Sequence, residues 1–403
     1  MSEPAGREAL AERTAQHFPW YRQLQAREGG APRSLPLITA PVLEAYYYTE
    51  DNPLARGGDL YRYRTSGTSS GLRKTIYYSE RDEADYLRIK LDVFRQILGN
   101  AGYRTAASDM GTGHAEATAA SVFRSLGMEV HTLSFREPIG RHIEELKRIR
   151  PEVLYTMPSI LDRILLAADD PLAFGVRRVI LVGEIAAPGW IRHAAEKLGI
   201  GPDAVADTYG SIEIGTIAYY DRRHGRYVLT EGLEAEGVGA EALGEGYEPL
   251  PAGEQVLVLT SYVREAFPAL RYVTYDVVRD LRPIVVDGER RQSFRSIVKR
   301  IGPDLKHGEK ISIYDIEDAV YRHIRDASVR VNVAGNALRV HLHGANADQA
   351  LLGRVREELQ DRIPEIGAMI RGGMLAGIEV VAEPGYDDER SRGSVKNKKI
   401  FYT

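Results

Sequence analysis

Val176-Arg177-Arg178-Val179-Ile180-Leu181-Val182-Gly183-Glu184 is a short apolar run closed by a glycine and a carboxylate. A run of this length, rich in β-branched residues and ended by Gly183, reads as a strand buried on both faces. The same texture repeats outward from it. Towards the N-terminus lie a helix over 159–168, a strand over 153–156, a helix over 139–149, a strand over 129–133, a helix over 115–126 and a strand over 103–107. Towards the C-terminus lie a helix over 190–198 and a strand over 204–208. Such alternation predicts an α/β fold whose parallel or mixed sheets carry helices on both faces.

The flanks differ. Residues 6–28 carry a helical pattern, Thr39 reads as the N-cap of a short helix, and 76–79 reads as a strand leading into a helix over 79–98. Beyond Tyr209 the segments 217–229, 255–263 and 270–277 read as hairpin-like strands, with a Gly/Glu-rich loop over 231–254. From Ile297 a smaller α+β unit begins, with a helix over 312–324, strands at 329–333 and 338–342, a helix over 347–362 and a strand over 378–382. Its tail, 390–403, is polar and basic. Two domains are expected: a large one with a β-rich subdomain over 1–299, and a small mobile one over 300–403.

The chain has 403 residues, 43% hydrophobic and 27% charged, as in ordinary globular proteins. A net charge of −4 gives no global field for nucleic acid or an anionic membrane. Cysteine is absent, which excludes disulfides, thiolate metal sites and a thiol nucleophile of the chain's own. The charged N-terminus is no signal peptide and no run is apolar enough to span a bilayer, so a cytoplasmic location is expected.

Arg64-Thr65-Ser66-Gly67-Thr68-Ser69-Ser70-Gly71-Leu72-Arg73-Lys74-Thr75 is dense in hydroxyls and glycine, with Lys74 behind them. Small residues let backbone N–H groups approach a ligand, and hydroxyls and a lysine add donors, a combination suited to phosphate. The run is neither GxxxxGK[ST] nor GxGxxG. In Asp207-Thr208-Tyr209-Gly210-Ser211-Ile212-Glu213-Ile214-Gly215 an aromatic ring beside a glycine at a strand end suits stacking on a base, and Glu213 suits a Mg²⁺ ion bridging phosphates. In Pro268-Ala269-Leu270-Arg271-Tyr272-Val273-Thr274-Tyr275-Asp276 a strand delivers Asp276, a carboxylate able to accept both hydroxyls of a ribose.

These stretches, taken in order with His17-Phe18-Pro19-Trp20-Tyr21-Arg22, Leu35-Pro36-Leu37-Ile38-Thr39 and Glu265-Ala266-Phe267-Pro268, resemble the adenylate-forming superfamily, within it the phenylacetate–CoA ligase branch. The resemblance covers nearly the whole chain. It implies ATP and Mg²⁺ as cofactors, a small carboxylic acid as substrate, and coenzyme A, a carrier-protein thiol or an amine as acyl acceptor. A thiol acceptor is the expectation, an amide-forming ligase or a nucleotide-binding scaffold without catalysis the alternatives. Oligomeric state is left open, a homodimer among the options.

The resemblance also implies roles. Thr65, Ser66, Gly67, Thr68, Ser69, Gly71 and Lys74 would cover the β- and γ-phosphates. Gly183 and Glu184 would form an adenine-side loop. Asp207, Thr208, Tyr209, Gly210 and Ser211 would line the nucleotide and acyl pockets, Glu213 would hold Mg²⁺, and Asp276 with Arg300 would sit at the ribose and the domain boundary. Lys396 would be the adenylation lysine, with Lys398 and Lys399 as alternatives because Gly393 and Lys396 are separated by two residues. Asp109, Gly111, His114 and Gly215 fall where the family shapes the acid pocket, with Asp109 as partner to a polar group on the acid.

Overall fold

The computed structural model describes residues 3–27, 35–56, 59–64, 74–110, 114–134, 136–247, 249–302, 313–325, 327–334, 337–363, 366, 370–371, 376–383 and 400–402. Its contacts divide into two compact units, Met1–Val93 with Tyr209–Lys306 and Phe94–Thr208 with His307–Thr403. The α/β class read from the sequence is the class observed, with both parallel and antiparallel sheets.

The second unit contains the stretch around Val179. Parallel strands run side by side in the order Val205–Ser211, Arg178–Val182, Val153–Thr156, Thr105–Asp109, Glu129–Leu133. The register pairs Val182 with Thr208 and Thr156 with Asp109. Spatial order reverses between Val153–Thr156 and Thr105–Asp109, so the carboxyl ends of those neighbours mark the switch point where α/β sheets open a crevice. Helices His114–Ser125, Ile139–Ile149, Pro158–Ala167 and Pro188–Lys197 connect the strands.

In the same unit a second sheet has the order Gly377–Glu383, Ala337–His343, Ser328–Ala334, Ile400–Tyr402, beside helices Ile313–Val320 and Gln349–Arg362. Leu161, Leu181, Trp190, Ile316, Val320, Val340 and Leu359 belong to one continuous core, each fully buried. Burying one such side chain contributes roughly 1.5–3 kcal/mol. Gly189 lets two helices meet: a Cβ there would stand 2.7 Å from the Tyr321 Cβ. Ile400–Tyr402 pairs in parallel with Val331–Val333, where the sequence reads only as a basic tail.

The first unit is antiparallel. One sheet has the order Leu233–Val238, Glu254–Ser261, Tyr272–Arg279, Ser296–Arg300. Another set runs Arg282–Val286, Glu289–Phe294, Arg226–Leu229, Gly215–Asp221, and a hairpin pairs Tyr61–Arg64 with Thr75–Tyr78. An aromatic cluster holds its N-terminal helices: Trp20 stacks on Tyr46 at 5.2 Å, and Tyr47 meets Phe18 at 5.9 Å and Phe267 at 5.1 Å.

Three expectations are corrected here. The helix over 6–28 is two helices, Glu3–His17 and Trp20–Arg27, because Pro19 breaks the run. The loop over 231–254 contains the strand Leu233–Val238, an edge strand with Ala235 as its buried residue and so little apolar signal. Thr39 stands at the N-cap without a side-chain capping bond; the Tyr275 hydroxyl, 235 positions away in sequence, accepts the Ala40 N–H at 3.0 Å instead. The hairpin Arg282–Val286 with Glu289–Phe294 has no counterpart in the sequence reading, although its Asp287-Gly288 turn carries a usable signal. Both turn residues have positive φ, 48° and 86°, as a two-residue hairpin turn requires. Among the described residues no helix is long and apolar enough to cross a membrane.

Candidate active site

The first unit gathers most of the residues singled out for the nucleotide. Asp276 is carried by the strand Tyr272–Arg279, which turns through a left-handed Tyr275, φ 63°, immediately before it. A non-glycine residue in that region is held by its surroundings at a cost on the order of 1–3 kcal/mol. Asp276 is thereby aimed at Tyr209, whose hydroxyl donates to its Oδ2 at 2.5 Å. The Arg300 guanidinium stands 3.7 Å from Oδ1. Burial, reinforced by the Asp276 charge, pushes the Tyr209 hydroxyl well above its ordinary range, so it stays a donor at every accessible pH. Asp276 in turn holds the Arg300 guanidinium charged.

Glu213 sits in the turn between Val205–Ser211 and Gly215–Asp221. The turn is tight. A Cβ on Gly210 would lie 2.6 Å from the Gly215 carbonyl oxygen, and one on Gly215, φ 99°, would lie 2.8 Å from the Tyr86 ring. Neighbouring groups fix its backbone: the Tyr78 hydroxyl donates to Ile212 O at 2.7 Å, and Arg264 Nε donates to Glu213 O at 2.9 Å.

Arg264 is the residue that sequence reasoning missed. Buried, it also donates to Tyr77 O at 3.0 Å, lies 3.8 Å over the Tyr78 ring and pairs with Asp82. Asp82 accepts the N–H groups of Glu265 at 2.7 Å and Ala266 at 3.0 Å, and shares a reciprocal capping box with Ser79. One ion pair thus ties together Glu213, the strand after the Gly-rich loop and the Glu265-Ala266-Phe267 stretch. The serine-to-aspartate spacing at 79 and 82 was the signal available for its acidic half.

The Gly-rich loop joins the strands Tyr61–Arg64 and Thr75–Tyr78. Its residues Thr65, Ser66, Gly67, Thr68, Ser69 and Gly71 lie outside the described residues, as do Gly111, Lys396, Lys398, Lys399 and the side chain of His114. Lys74 is described: its ammonium is 3.4 Å from Glu44 and 4.9 Å from the Tyr48 ring centroid.

The remaining candidates lie in the second unit. Thr208 Oγ1 donates to Leu181 O at 2.6 Å, and Asp207 is buried beside it. Gly183 takes φ 82°, and the Glu184 carboxylate accepts the Ser159 N–H at 2.8 Å and its hydroxyl at 2.9 Å. Asp109 is completely buried. Its Oδ2 is 3.0 Å from His142 Nδ1, while His142 Nε2 is 3.2 Å from Glu137 O. Burial pushes the Asp109 carboxyl up against the opposing pull of His142. Burial pulls His142 down, but the hydrogen bond and charge of Asp109 outweigh it and raise the imidazole above its ordinary value.

Among the described residues no group of three or more His, Asp or Glu side chains could hold a metal. A single half-buried carboxylate, Glu213, fits a hard cation that keeps water and phosphate as its other ligands, as Mg²⁺ does with nucleotides. Its donor set does not fit an all-protein cage.

Three likenesses accompany this geometry. Residues 306–384 match the family described as Fumarate--diaminopropanoate ligase C-terminal domain. The chain is 34% identical over 385 residues to a Fumarate--(S)-2,3-diaminopropanoate ligase of Enterobacter agglomerans, covering 95% of both chains. Its fold matches 2-hydroxyisobutyryl-CoA ligase in the postadenylation state, TM-score 0.72 at 15% identity, over 99% of this chain and 88% of that one. It also matches the amide bond synthetase McbA from Marinactinospora thermotolerans, TM-score 0.51 at 17% identity, over 80% and 66%. On the strength of a likeness that runs nearly end to end, the chain belongs to the fumarate–diaminopropanoate ligase family of the adenylate-forming superfamily.

Proposed function

We propose that this protein activates a short dicarboxylic acid of the fumarate type with ATP and passes the acyl group to the amine of a small amino acid. The observation that carries the reading is the 34% identity, over 95% of both chains, to a ligase named for those two substrates. An amine thus replaces the thiol acceptor expected from the sequence.

A carboxylate is a poor electrophile until its oxygen is made a leaving group. One carboxylate oxygen attacks the α-phosphorus of ATP, the bond to the bridging oxygen breaks, and pyrophosphate departs. The amine nitrogen then attacks the acyl carbon, AMP leaves, and the nitrogen releases a proton to solvent. No protein nucleophile is needed, in keeping with a chain that lacks cysteine.

In this reading Asp276 accepts the ribose hydroxyls, held in place by Tyr209 and Arg300. Gly210 and Gly215 give the adenylate room at the turn, alongside Asp207, Thr208 and Ser211. Gly183 and Glu184 border the adenine, and the loop from Thr65 to Lys74 covers the outer phosphates. A Mg²⁺ ion bound at Glu213 would neutralise phosphate charge as it develops. Lys396, or its neighbours Lys398 and Lys399, supplies a further cation from a small mobile domain over 300–403, and Asp109, Gly111 and His114 border the acid pocket.

Pyrophosphate release with ATP, Mg²⁺ and fumarate, followed by mass analysis with 2,3-diaminopropanoate or coenzyme A added, tests the proposal. An amide product is expected. A thioester product, or no pyrophosphate, overturns it.

A further inference from the structure

We propose that Lys90 is the specificity residue for the acid, its ammonium receiving the distal carboxylate of a short dicarboxylate whose other carboxylate is adenylated. The inference rests on the reading of the function given above and assigns a role to a residue outside the nucleotide machinery.

Lys90 lies in the helix Glu80–Leu98, and its burial is unusual for a lysine: 2% of its surface is exposed. Asp82, Tyr86 and Lys90 are spaced four residues apart, so they form one line on one helix face. The first two members of that line already touch the site. Asp82 carries the Arg264 pair that holds Glu213 O. The Tyr86 ring packs on Gly215, at the far end of the Tyr209–Gly215 turn, and stands 6.2 Å from the Tyr78 ring, whose hydroxyl holds Ile212 O. Helical side chains lean towards the N-terminus, which carries the Lys90 ammonium back over Tyr86; it lies 5.5 Å from that ring centroid. The buried amine therefore points along the line that leads to the glycine turn.

Burial alone pulls the Lys90 ammonium down to about 7. A group held so close to losing its proton gains from an arriving anion, because a carboxylate in a desolvated site restores the charged form. Arg264 and Arg300 face Asp82 and Asp276, so their charges serve the turn and the ribose carboxylate. A diacid is recognised by a cation at each end, one for the phosphate-linked carboxylate and one for the other. Lys90 is placed for the second.

The test compares fumarate with crotonate, which has a methyl group where fumarate has its distal carboxylate. Pyrophosphate release is measured for wild type, Lys90→Met and Lys90→Arg with both acids on the same protein samples. The ratio of the two kcat/KM values is independent of how much protein has folded. Wild type should favour fumarate, and K90M should lose that preference by on the order of a hundredfold while crotonate turnover stays within a few-fold. K90R should retain part of it. If K90M lowers both acids equally, or keeps the fumarate preference, Lys90 is a packing residue and the inference falls while the ligase reading stands. If wild type releases no pyrophosphate with fumarate, both fall.

Discussion

The hydroxyl of Tyr209 donates to Asp276 Oδ2 at 2.5 Å, joining the end of one strand to a residue set up by a left-handed backbone at Tyr275. Removing that donor leaves the carboxylate in place but free to rotate. Tyr209→Phe is expected to raise the KM for ATP about tenfold, with a smaller change in kcat, since a hydrogen bond to a charged group contributes roughly 1.5–3 kcal/mol. Asp276→Ala should cost more. Nucleotide titration of both variants checks the order of the two effects.

Arg264 and Asp82 are both buried, and each satisfies backbone groups besides its partner. Truncating either one strands a charge in the core, a loss of roughly 3–5 kcal/mol. Arg264→Ala should therefore unfold at markedly lower urea. Arg264→Lys should fold better, yet lose pyrophosphate release because one ammonium cannot reach both Glu213 O and Tyr77 O in the guanidinium's fork geometry.

Gly189→Ala places a methyl group 2.7 Å from the Tyr321 Cβ. The helices must separate, at a cost of roughly 1–3 kcal/mol. Because the clash is with Cβ, trimming Tyr321 to Ala should not rescue the variant. Thermal unfolding of the single and double mutants decides this.

His142 and Asp109 predict a dependence of stability on pH. His142 has its folded-state value raised above 6.5, so its contribution is complete below 6.5 and fades as the pH climbs through the folded value. Asp109 is raised too, from 3.8, so its burial penalty sets in on the acid side and is already in place near neutrality. Melting temperature should accordingly fall as pH rises above 6.5, and His142→Gln should flatten that part of the profile. A wild-type melting point that is level or rising over that range contradicts the assignment.

How much of this is legible in the chain alone follows from the range of the interactions. The strand–helix run around Val179 and the glycine turn before Glu213 are local patterns, set by periodicity and backbone sterics within a few residues, and both appear where the chain alone places them. The Asp287-Gly288 hairpin is equally local yet escapes a sequence reading, because its strands carry arginine and glutamine where alternating apolar residues would draw notice.

What the amino-acid order determined by itself was the α/β class, the family resemblance and the identity of Tyr209, Glu213 and Asp276 as a set. What only tertiary structure decided was who holds them: Arg264 on Glu213 O from 51 positions away, Tyr209 on Asp276 across 67, Tyr275 rather than Thr39 on Ala40 N, and His142 on Asp109. Those bonds join groups with no shared periodicity. They form because buried donors and acceptors must find partners once the chain has collapsed, and the collapse itself chooses which ones are near.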